Sequence, residues 1–231
     1  MVQRTKKYRR RVRRKPKRAT NSKSIALHAL NLAKKNARHK EVKLLTQFAG
    51  GPTTQINALG QTIDVFAGTT VTQGDADYQR NGDVISPQNI YAKILFNGNS
   101  STTKAQVVRV MVVQGKGPLD VDTTPAAEIF DNTAINVTNQ TQCLNFKSRD
   151  NSRNYRILYD KTLNMTPYHD KEGSYLLKFK VSNMKQIRYD SATSDYATGG
   201  VYILLFSDND IISGSGHNPY YMISYRATFY D

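Results

Sequence analysis

The chain has 231 residues, a formal net charge of +15 and a single cysteine, Cys143. This length allows one large domain plus a tail, and a lone cysteine excludes an internal disulfide framework and a cysteine-based metal cluster. No apolar run approaches the roughly 18 residues of a membrane span, and no signal-like run follows the opening MVQRTKKYRRR, so we expect no membrane segment and no secretion.

The positive charge is concentrated in an N-terminal arm. Met1 to Lys43 hold seventeen Lys/Arg and one acid, a net of +16, whereas Leu44 to Asp231 have a net charge of −1. Because such a run cannot bury enough apolar surface to offset its ordering entropy, it predicts disorder. Arginine binds phosphate bidentately, and dense cations release the counterions condensed on a polyanion. Residues 1–40 therefore form a predicted nucleic-acid-binding arm, and the same basic run suits a nuclear localisation signal. The predicted contact residues are Arg4, Lys6, Lys7, Arg9, Arg10, Arg11, Arg13, Arg14, Lys15, Lys17, Arg18, Lys34, Lys35 and Arg38.

A short amphipathic helix is predicted near the end of this arm, in the stretch SIALHALNLAKKNARHK. Ser24 is a suitable N-cap, Ile25, Ala29 and Leu32 recur at helical spacing, and basic residues follow at the C-terminal end. Two interpretations stay open for residues 24–38. The helix is either a partly formed linker, or it is ordered by neighbouring subunits or nucleic acid.

From Glu41 onward the apolar residues recur with a period of two, which predicts half-buried strands. These strands cover residues 42–48, 90–96, 175–181 and 221–229, the first of them ending at Gly50-Gly51-Pro52. Two near-continuous apolar runs, Val107 to Val113 and Val201 to Phe206, predict strands buried on both faces. Weaker strand candidates are residues 62–66, 135–138 and 155–162.

Long Gly/Asn/Asp/Ser-rich loops separate these strands, at residues 115–124, 149–154, 190–200 and 208–219. One helical turn is predicted at residues 124–130, inside a loop. Eight or nine strands with almost no helix indicate an all-β fold. The predicted architecture is a single jelly-roll β-sandwich of two antiparallel sheets, residues 41–231, preceded by the disordered basic arm with its short helix.

Catalytic and metal-binding patterns find little support, so we expect no enzymatic activity, no cofactor and no metal. No hydrolase, Walker or dinucleotide-binding motif occurs. None of the histidines has a metal-ligand spacing; they are His28, His39, His169 and His217. The acidic clusters Asp120-Val121-Asp122 and Asp208-Asn209-Asp210 are interpreted as turn formers. A Ca²⁺ site at a subunit contact is the minority alternative.

Four segments resemble the capsid proteins of circovirus-like (CRESS), replication-initiator-encoding single-stranded DNA viruses. They are the arm MVQRTKKYRRRVRRKPKR, the segment RNGDVISPQNIYAKILF with its R-x-G-x-x-I lead-in, NYRILYDKTLNM, and the terminal YMISYRATFYD. The resemblance implies one jelly roll that self-assembles into an icosahedral T=1 shell of sixty copies around a circular single-stranded DNA genome. It also implies an inward-facing arm, in which Arg4 to Arg18 bind the genome and engage the host nuclear import machinery, so the protein is expected in the virion and the host nucleus. The later strands do not match circoviruses proper, which leaves the genus open.

Other functions remain open alongside this resemblance. A coat protein of a satellite-type single-stranded RNA virus would have a similar arm, helix and jelly roll, because phosphate neutralisation ignores the sugar. A non-viral nucleic-acid-binding protein, or a lectin or enzyme with an appended localisation signal, is a more remote alternative. The nuclear-type signal and the YRILYDK strand favour DNA. Subunit contacts are expected from the long loops, and the receptor is not indicated.

A second basic group lies in the predicted β-domain. Lys147, Arg149, Arg153 and Arg156 cluster in sequence, and Lys178 and Lys180 share a strand face. The favoured interpretation is ordinary exposed charge balanced by Asp150 and Asp160. The alternative is that these side chains line the interior of the shell.

Overall fold

The computed structural model describes residues 26–30, 41–56, 60–98, 106–117, 129–130, 151–165, 174–190, 196–208 and 218–231. The chain divides into two units, Met1–Lys40 and Glu41–Asp231. In the first unit, residues 26–30 are helical and fall within the predicted helix at 24–38, the rest of which lies outside the described residues. None of the helical segments described is long and apolar enough to cross a membrane.

The second unit is built almost entirely of β-strands. Their bounds are β1 Lys43–Gln55, β2 Gln61–Asp64, β3 Val84–Asn97, β4 Gln106–Gly115, β5 Tyr155–Met165, β6 Ser174–Ser182, β7 Ile187–Tyr189, β8 Tyr196–Thr198, β9 Val201–Ser207 and β10 Tyr220–Tyr230, with a 3-10 helix at Asn151–Arg153. The strand predictions at 90–96, 107–113, 155–162, 175–181, 201–206 and 221–229 are confirmed, and the candidate at 62–66 is a strand only as far as Asp64. The candidate strand at 135–138 lies outside the described residues.

The strands form two antiparallel sheets with the topology of a jelly roll. One sheet has the order β1-β10-β3, with β6 pairing β3 and the short β7 and β8 extending it, and the other has the order β2-β9-β4-β5. The antiparallel pairs are therefore nested along the chain: β1 with β10, β2 with β9, β3 with β6 and β4 with β5. This nesting of strand pairs is the double Greek key of a jelly roll, so the predicted fold class is confirmed.

Alternating apolar residues from both sheets fill the space between them. The shared core includes Ile90, Ile94 and Ile223 from one sheet and Val110 and Ile203 from the other. This interdigitation of the two inner faces is how a β-sandwich excludes water from its centre.

A smaller apolar cluster covers the outer face of the β2-β9-β4-β5 sheet. Residues Ile129 and Phe130, from the β4–β5 connection, pack there against Met111, Leu204 and Phe206. The ring centroids of Phe130 and Phe206 lie 5.1 Å apart in an edge-to-face arrangement. Because this cluster lies on one side and the main core on the other, β4 and β9 are buried on both faces, as their continuous apolar sequences predicted.

The predictions at residues 42–50 and 190–200 were wrong in detail. The first strand does not end at Gly50-Gly51-Pro52, because β1 continues to Gln55 through a register irregularity between Gly50 and Gln55. Gly50 has a φ of +77°, and a Cβ there would lie 2.5 Å from the carbonyl oxygen of Tyr221, so glycine permits the irregularity inside the strand. The predicted loop at 190–200 contains β8, which pairs with β7.

A buried arginine anchors the connection between β2 and β3. Arg80 is only 2% exposed; its guanidinium lies 4.2 Å from the ring centroid of Tyr189 and forms a 2.9 Å salt bridge with Asp83. The Tyr189 hydroxyl in turn donates to the carbonyl of Phe66. The arginine and aspartate of the RNGDVI segment therefore hold the lead-in to β3 against the body of the domain.

The beginning of β1 is tied to the last residue of the sequence. Lys43 Nζ lies 3.2 Å from an Asp231 carboxylate oxygen, and that carboxylate also accepts a hydrogen bond from the Asn81 N–H. Burial alone would raise the pKa of the Asp231 side chain, but the Asn81 N–H and the Lys43 ammonium more than offset that effect and lower it. The carboxylate is thus held in its charged form where the jelly roll begins.

Candidate nucleic-acid interface

The fourteen basic residues predicted to contact nucleic acid, from Arg4 to Arg38, all lie outside the described residues. Their role stays a prediction. The described part of the chain instead shows where the second basic group predicted from the sequence is placed.

The described members of that second basic group do not all lie on one sheet. Lys147 and Arg149 lie outside the described residues, while Arg156 on β5 donates a 2.9 Å hydrogen bond to the carbonyl of Asn183. Lys178 and Lys180 belong to the other sheet, on β6. Asp160, one of the acids expected to balance this group, binds Arg109 through its carboxylate.

The exposed residues of β1, β10, β3 and β6 align in cross-strand rows on the outer face of their sheet. They alternate with core residues such as Leu177 and Val181, so Lys178 and Lys180 point away from the core. The strand register places two central rows next to each other, Thr46–Arg226–Tyr91–Lys180 and Phe48–Ser224–Lys93–Lys178. We call these eight residues the basic sheet face, and all of them except Phe48 line one open groove.

Charge is distributed one-sidedly in these four strands. They contain five Lys/Arg residues and no Asp or Glu at all. The fifth cation, Lys43, is buried and is the one paired with Asp231. Among the described residues, no carboxylate forms a salt bridge with Lys93, Lys178, Lys180 or Arg226. The face therefore presents a field of positive sign to whatever approaches it.

Two of these cations stand directly opposite each other. Lys93 on β3 pairs in register with Lys178 on β6, and directly opposed side chains in an antiparallel sheet have Cβ atoms roughly 5 Å apart. Like charges at this position destabilise the sheet by roughly 0.2–1 kcal/mol. An anion bound between the ammonium groups would remove this cost.

Aromatic rings lie among the cations. Tyr91 is 45% exposed and Phe48 is 63% exposed. The Lys180 ammonium lies 5.0 Å from the centroid of the Tyr91 ring, and Arg226 is the register partner of Tyr91 on its other side. Rings accessible beside cations are the combination that single-stranded nucleic-acid binders use for bases and phosphates.

The arginine on the opposite outer face has a different environment. Arg109 on β4 makes two 2.9 Å hydrogen bonds to the two carboxylate oxygens of Asp160 on β5. Its guanidinium also lies 5.1 Å from the centroid of the Phe130 ring. Both its charge and its flat surface are therefore occupied by the protein itself.

Buried tyrosines surround Asp64 at the end of β2. The Tyr196 hydroxyl donates to the Asp64 carboxylate, which also accepts from the Phe66 N–H. Burial and the Asp64 charge raise the pKa of Tyr196 well above its usual value and raise that of Tyr225 to about 12. These phenols therefore remain protonated at neutral pH and serve as hydrogen-bond donors that hold the interior together.

Asp208, from the acidic cluster considered for calcium, has a structural role. Its carboxylate accepts a 2.8 Å hydrogen bond from the Val107 N–H. Burial raises its pKa, against the lowering effect of this hydrogen bond. Within the described ranges, no group of three His, Cys, Asp or Glu residues is placed to hold a metal ion.

Sequence reasoning identified Lys178 and Lys180 but missed Lys93 and Arg226 as parts of the same surface. Alternation showed that Arg226 faces away from the apolar residues of its strand. It could not show that β10, β3 and β6 are neighbours, because that depends on long-range pairing. The signal that was available is the complete lack of Asp and Glu in the four strands.

Comparisons with known proteins give distant similarities. No protein-family model matches the sequence, and no curated protein matches it either. Among solved structures, the chain is similar to Desmodium yellow mottle tymovirus at 8% identity and a TM-score of 0.39, over 83% of this chain and 88% of that one. It is also similar to the Triatoma virus empty capsid at 13% identity and a TM-score of 0.31, over 82% and 84%. Because these values are low, the jelly-roll assignment rests on the strand order.

Proposed function

We propose that this chain is a viral coat protein whose jelly-roll domain assembles into a closed shell and whose basic arm packages nucleic acid. The observation that carries this proposal is the direct linkage of two dissimilar parts. Residues 1–40 hold a net charge of +16, and they are joined to a jelly-roll domain, residues 41–231, with a net charge of −1. Nucleic-acid neutralisation and shell building are thereby divided along the chain.

Jelly rolls also serve as lectins and as cupins. A lectin or an enzyme on this fold would use the appended segment as a localisation signal, for which a run of roughly 5–8 basic residues suffices; sixteen positive charges therefore favour a nucleic-acid partner. A monomeric nucleic-acid-binding module is the stronger competitor, because the net charge of −1 conceals the basic sheet face. Assembly is therefore the property that separates a coat protein from such a module.

The segments that resemble circovirus-like capsid proteins support a more specific form of this proposal. Sixty copies form a T=1 shell around a circular single-stranded DNA genome. Arg4 to Arg18 bind that genome and present a nuclear localisation signal to the host import machinery. Sixty arms would supply roughly 960 positive charges, enough to neutralise on the order of a thousand nucleotides.

Expression of the full chain, followed by size-exclusion chromatography and electron microscopy, tests the assembly. We expect closed particles of uniform size, whereas a stable monomer at neutral pH and moderate salt would rule out the coat function. The nucleic acid protected inside the particles is then extracted and treated with DNase or with RNase. The enzyme that digests it identifies the polymer as DNA or RNA.

The arm is tested by replacing its eleven Lys/Arg between Arg4 and Arg18 with glutamine. Particles of this variant should have a lower 260/280 nm absorbance ratio, because the arm no longer neutralises phosphate. An unchanged ratio would remove the arm from the proposal.

A further inference from the structure

We propose that the basic sheet face binds a single-stranded nucleic acid directly, through phosphates and bases, as a second contact surface besides residues 1–40. This inference deepens the proposed function and rests on it only for placing the face inside a shell. The binding itself follows from the charges, exposure and register of the face.

The positive charge of the basic sheet face favours an anionic ligand. Lys93, Lys178 and Lys180, together with Arg226, are exposed and have no carboxylate partner among the described residues. The opposed pair Lys93 and Lys178 carries a repulsion that a bound anion can relieve. A neutral ligand, or a second apolar surface, would have to desolvate these ammonium groups without replacing their water.

The four cations of the basic sheet face are spread over three neighbouring strands. Neighbouring strands lie about 4.8 Å apart, and same-face residues along a strand about 6.7 Å apart. Arg226 on β10 and Lys180 on β6 are separated by the intervening β3, which places their backbones roughly 10 Å apart. Four cations over this area match several phosphates of a chain, whereas a single small anion would contact one pair.

The exposed aromatic rings of the face favour a nucleic acid over an acidic peptide, and a single strand over a duplex. Tyr91 and Phe48 expose their rings beside the cations, and every base offers a flat face that can stack on such a ring. A single strand presents these faces, whereas a duplex has already stacked them. DNA and RNA share this chemistry, so the face is assigned to the single strand and both sugars enter the test.

The experiment uses the full-length chain, freed of bound nucleic acid at high salt. Labelled oligodeoxythymidine, oligouridine and a DNA duplex of equal length are titrated over a salt series. The test variant carries Lys93→Gln, Lys178→Gln, Lys180→Gln and Arg226→Gln. The matched control loses the same four charges at exposed positions outside the face, through Lys116→Gln, Lys161→Gln, Lys185→Gln and Arg188→Gln.

For single strands, we expect the slope of log K against log salt to become shallower by about 3 in the test variant, because four phosphate contacts at roughly 0.7 each are lost. The control should keep the wild-type slope. Equal slopes in the test and control variants would overturn the proposal. An equally large effect on the duplex would overturn its single-strand part. If the substitutions weaken the binding of oligodeoxythymidine and oligouridine to different extents, the strand whose affinity falls more is the polymer that the face prefers.

Photo-crosslinking gives a direct second readout. Iodouridine-containing strands should crosslink to peptides that contain Tyr91 or Phe48, with the Tyr91 crosslink kept in Tyr91→Phe and lost in Tyr91→Ala. Crosslinks confined to residues 1–40 would contradict the proposal. These outcomes are separable from the coat function. If particles form but the test variant keeps the wild-type salt slope, only the role of the basic sheet face is rejected. If the chain stays monomeric but the test variant has a shallower salt slope, only the coat function is rejected.

Discussion

The two outer faces of the sandwich each carry a phenylalanine and an arginine, but in opposite conditions. On the β2-β9-β4-β5 side, Phe130 is 1% exposed and Arg109 binds Asp160 bidentately. On the β1-β10-β3-β6 side, Phe48 is 63% exposed and Arg226 has no salt-bridge partner in the described part of the chain. The first face is completed by the chain itself, and the second presents the same chemistry to an external ligand.

The role of a cation in this domain therefore depends on its surroundings and not on its residue type alone. Within the four strands β1, β10, β3 and β6, Lys43 is buried and paired with Asp231, while the other four cations are exposed. Cations that are paired with a carboxylate of the protein support the fold, so their removal should lower the free energy of unfolding. Removal of the exposed cations without a carboxylate partner should weaken binding, with little change in the free energy of unfolding.

The two phenylalanines provide the largest contrast. Phe130→Ala should lower the free energy of unfolding by about 3–5 kcal/mol, because it opens a cavity against Phe206. Phe48→Ala should change stability by less than about 0.5 kcal/mol and weaken single-strand binding instead. Urea unfolding of both variants measures this, and comparable destabilisation of the two would erase the distinction between the faces.

The two arginines should differ in the same direction. Arg109→Met removes two charge-assisted hydrogen bonds to Asp160 and should cost about 2–3 kcal/mol. Arg226→Met should leave the urea midpoint almost unchanged. A destabilised Arg226→Met protein would mean that this arginine is structural as well.

The paired lysine of the basic sheet should show an acid-dependent effect. The folded-state pKa of Asp231 is lowered below its ordinary 3.8, so its contribution is present above that pH and is lost as pH falls through the folded-state value. Lys43→Met should cost about 1–2 kcal/mol at neutral pH. The gap from wild type should narrow in acid, and a gap that is constant with pH would contradict the pairing.

Removal of an unpaired lysine should give the smallest effect, with the opposite sign. Lys93→Gln removes the like-charge contact with Lys178 and should stabilise the domain by roughly 0.2–1 kcal/mol at low salt. Added salt should abolish the gain by screening. Thermal unfolding in low and high salt measures it, and Lys161→Gln on β5 serves as a control with no opposed lysine.

Much of this fold followed from short-range patterns. Alternation located β3, β6 and β10, and the continuous apolar runs located the doubly buried β4 and β9. The continuation of β1 past Gly50 escaped prediction, because glycine and proline usually end a strand, whereas here Gly50 permits an irregularity within one. Arg80 stands in the R-x-G-x-x-I motif, but local patterns do not reveal its role, since its contact with Tyr189 joins residues far apart in sequence.

The candidate interface was less predictable than the fold. Lys178 and Lys180 are two residues apart and visibly share a face. Lys93 joins them through its pairing with Lys178, 85 residues away, and Arg226 through its pairing with Tyr91, 135 residues away. Local periodicity gives the direction of a side chain and not its neighbours. Register, which depends on the whole sandwich, turned scattered charges into one surface.

A reconstruction of assembled particles by electron cryo-microscopy tests the division between the two faces most directly. We expect the β1-β10-β3-β6 face to line the lumen, with nucleic-acid density against Tyr91, Lys93 and Arg226. A shell in which this face points outward, or in which a neighbouring subunit covers it with protein, would rule out the assignment of this face to the nucleic acid.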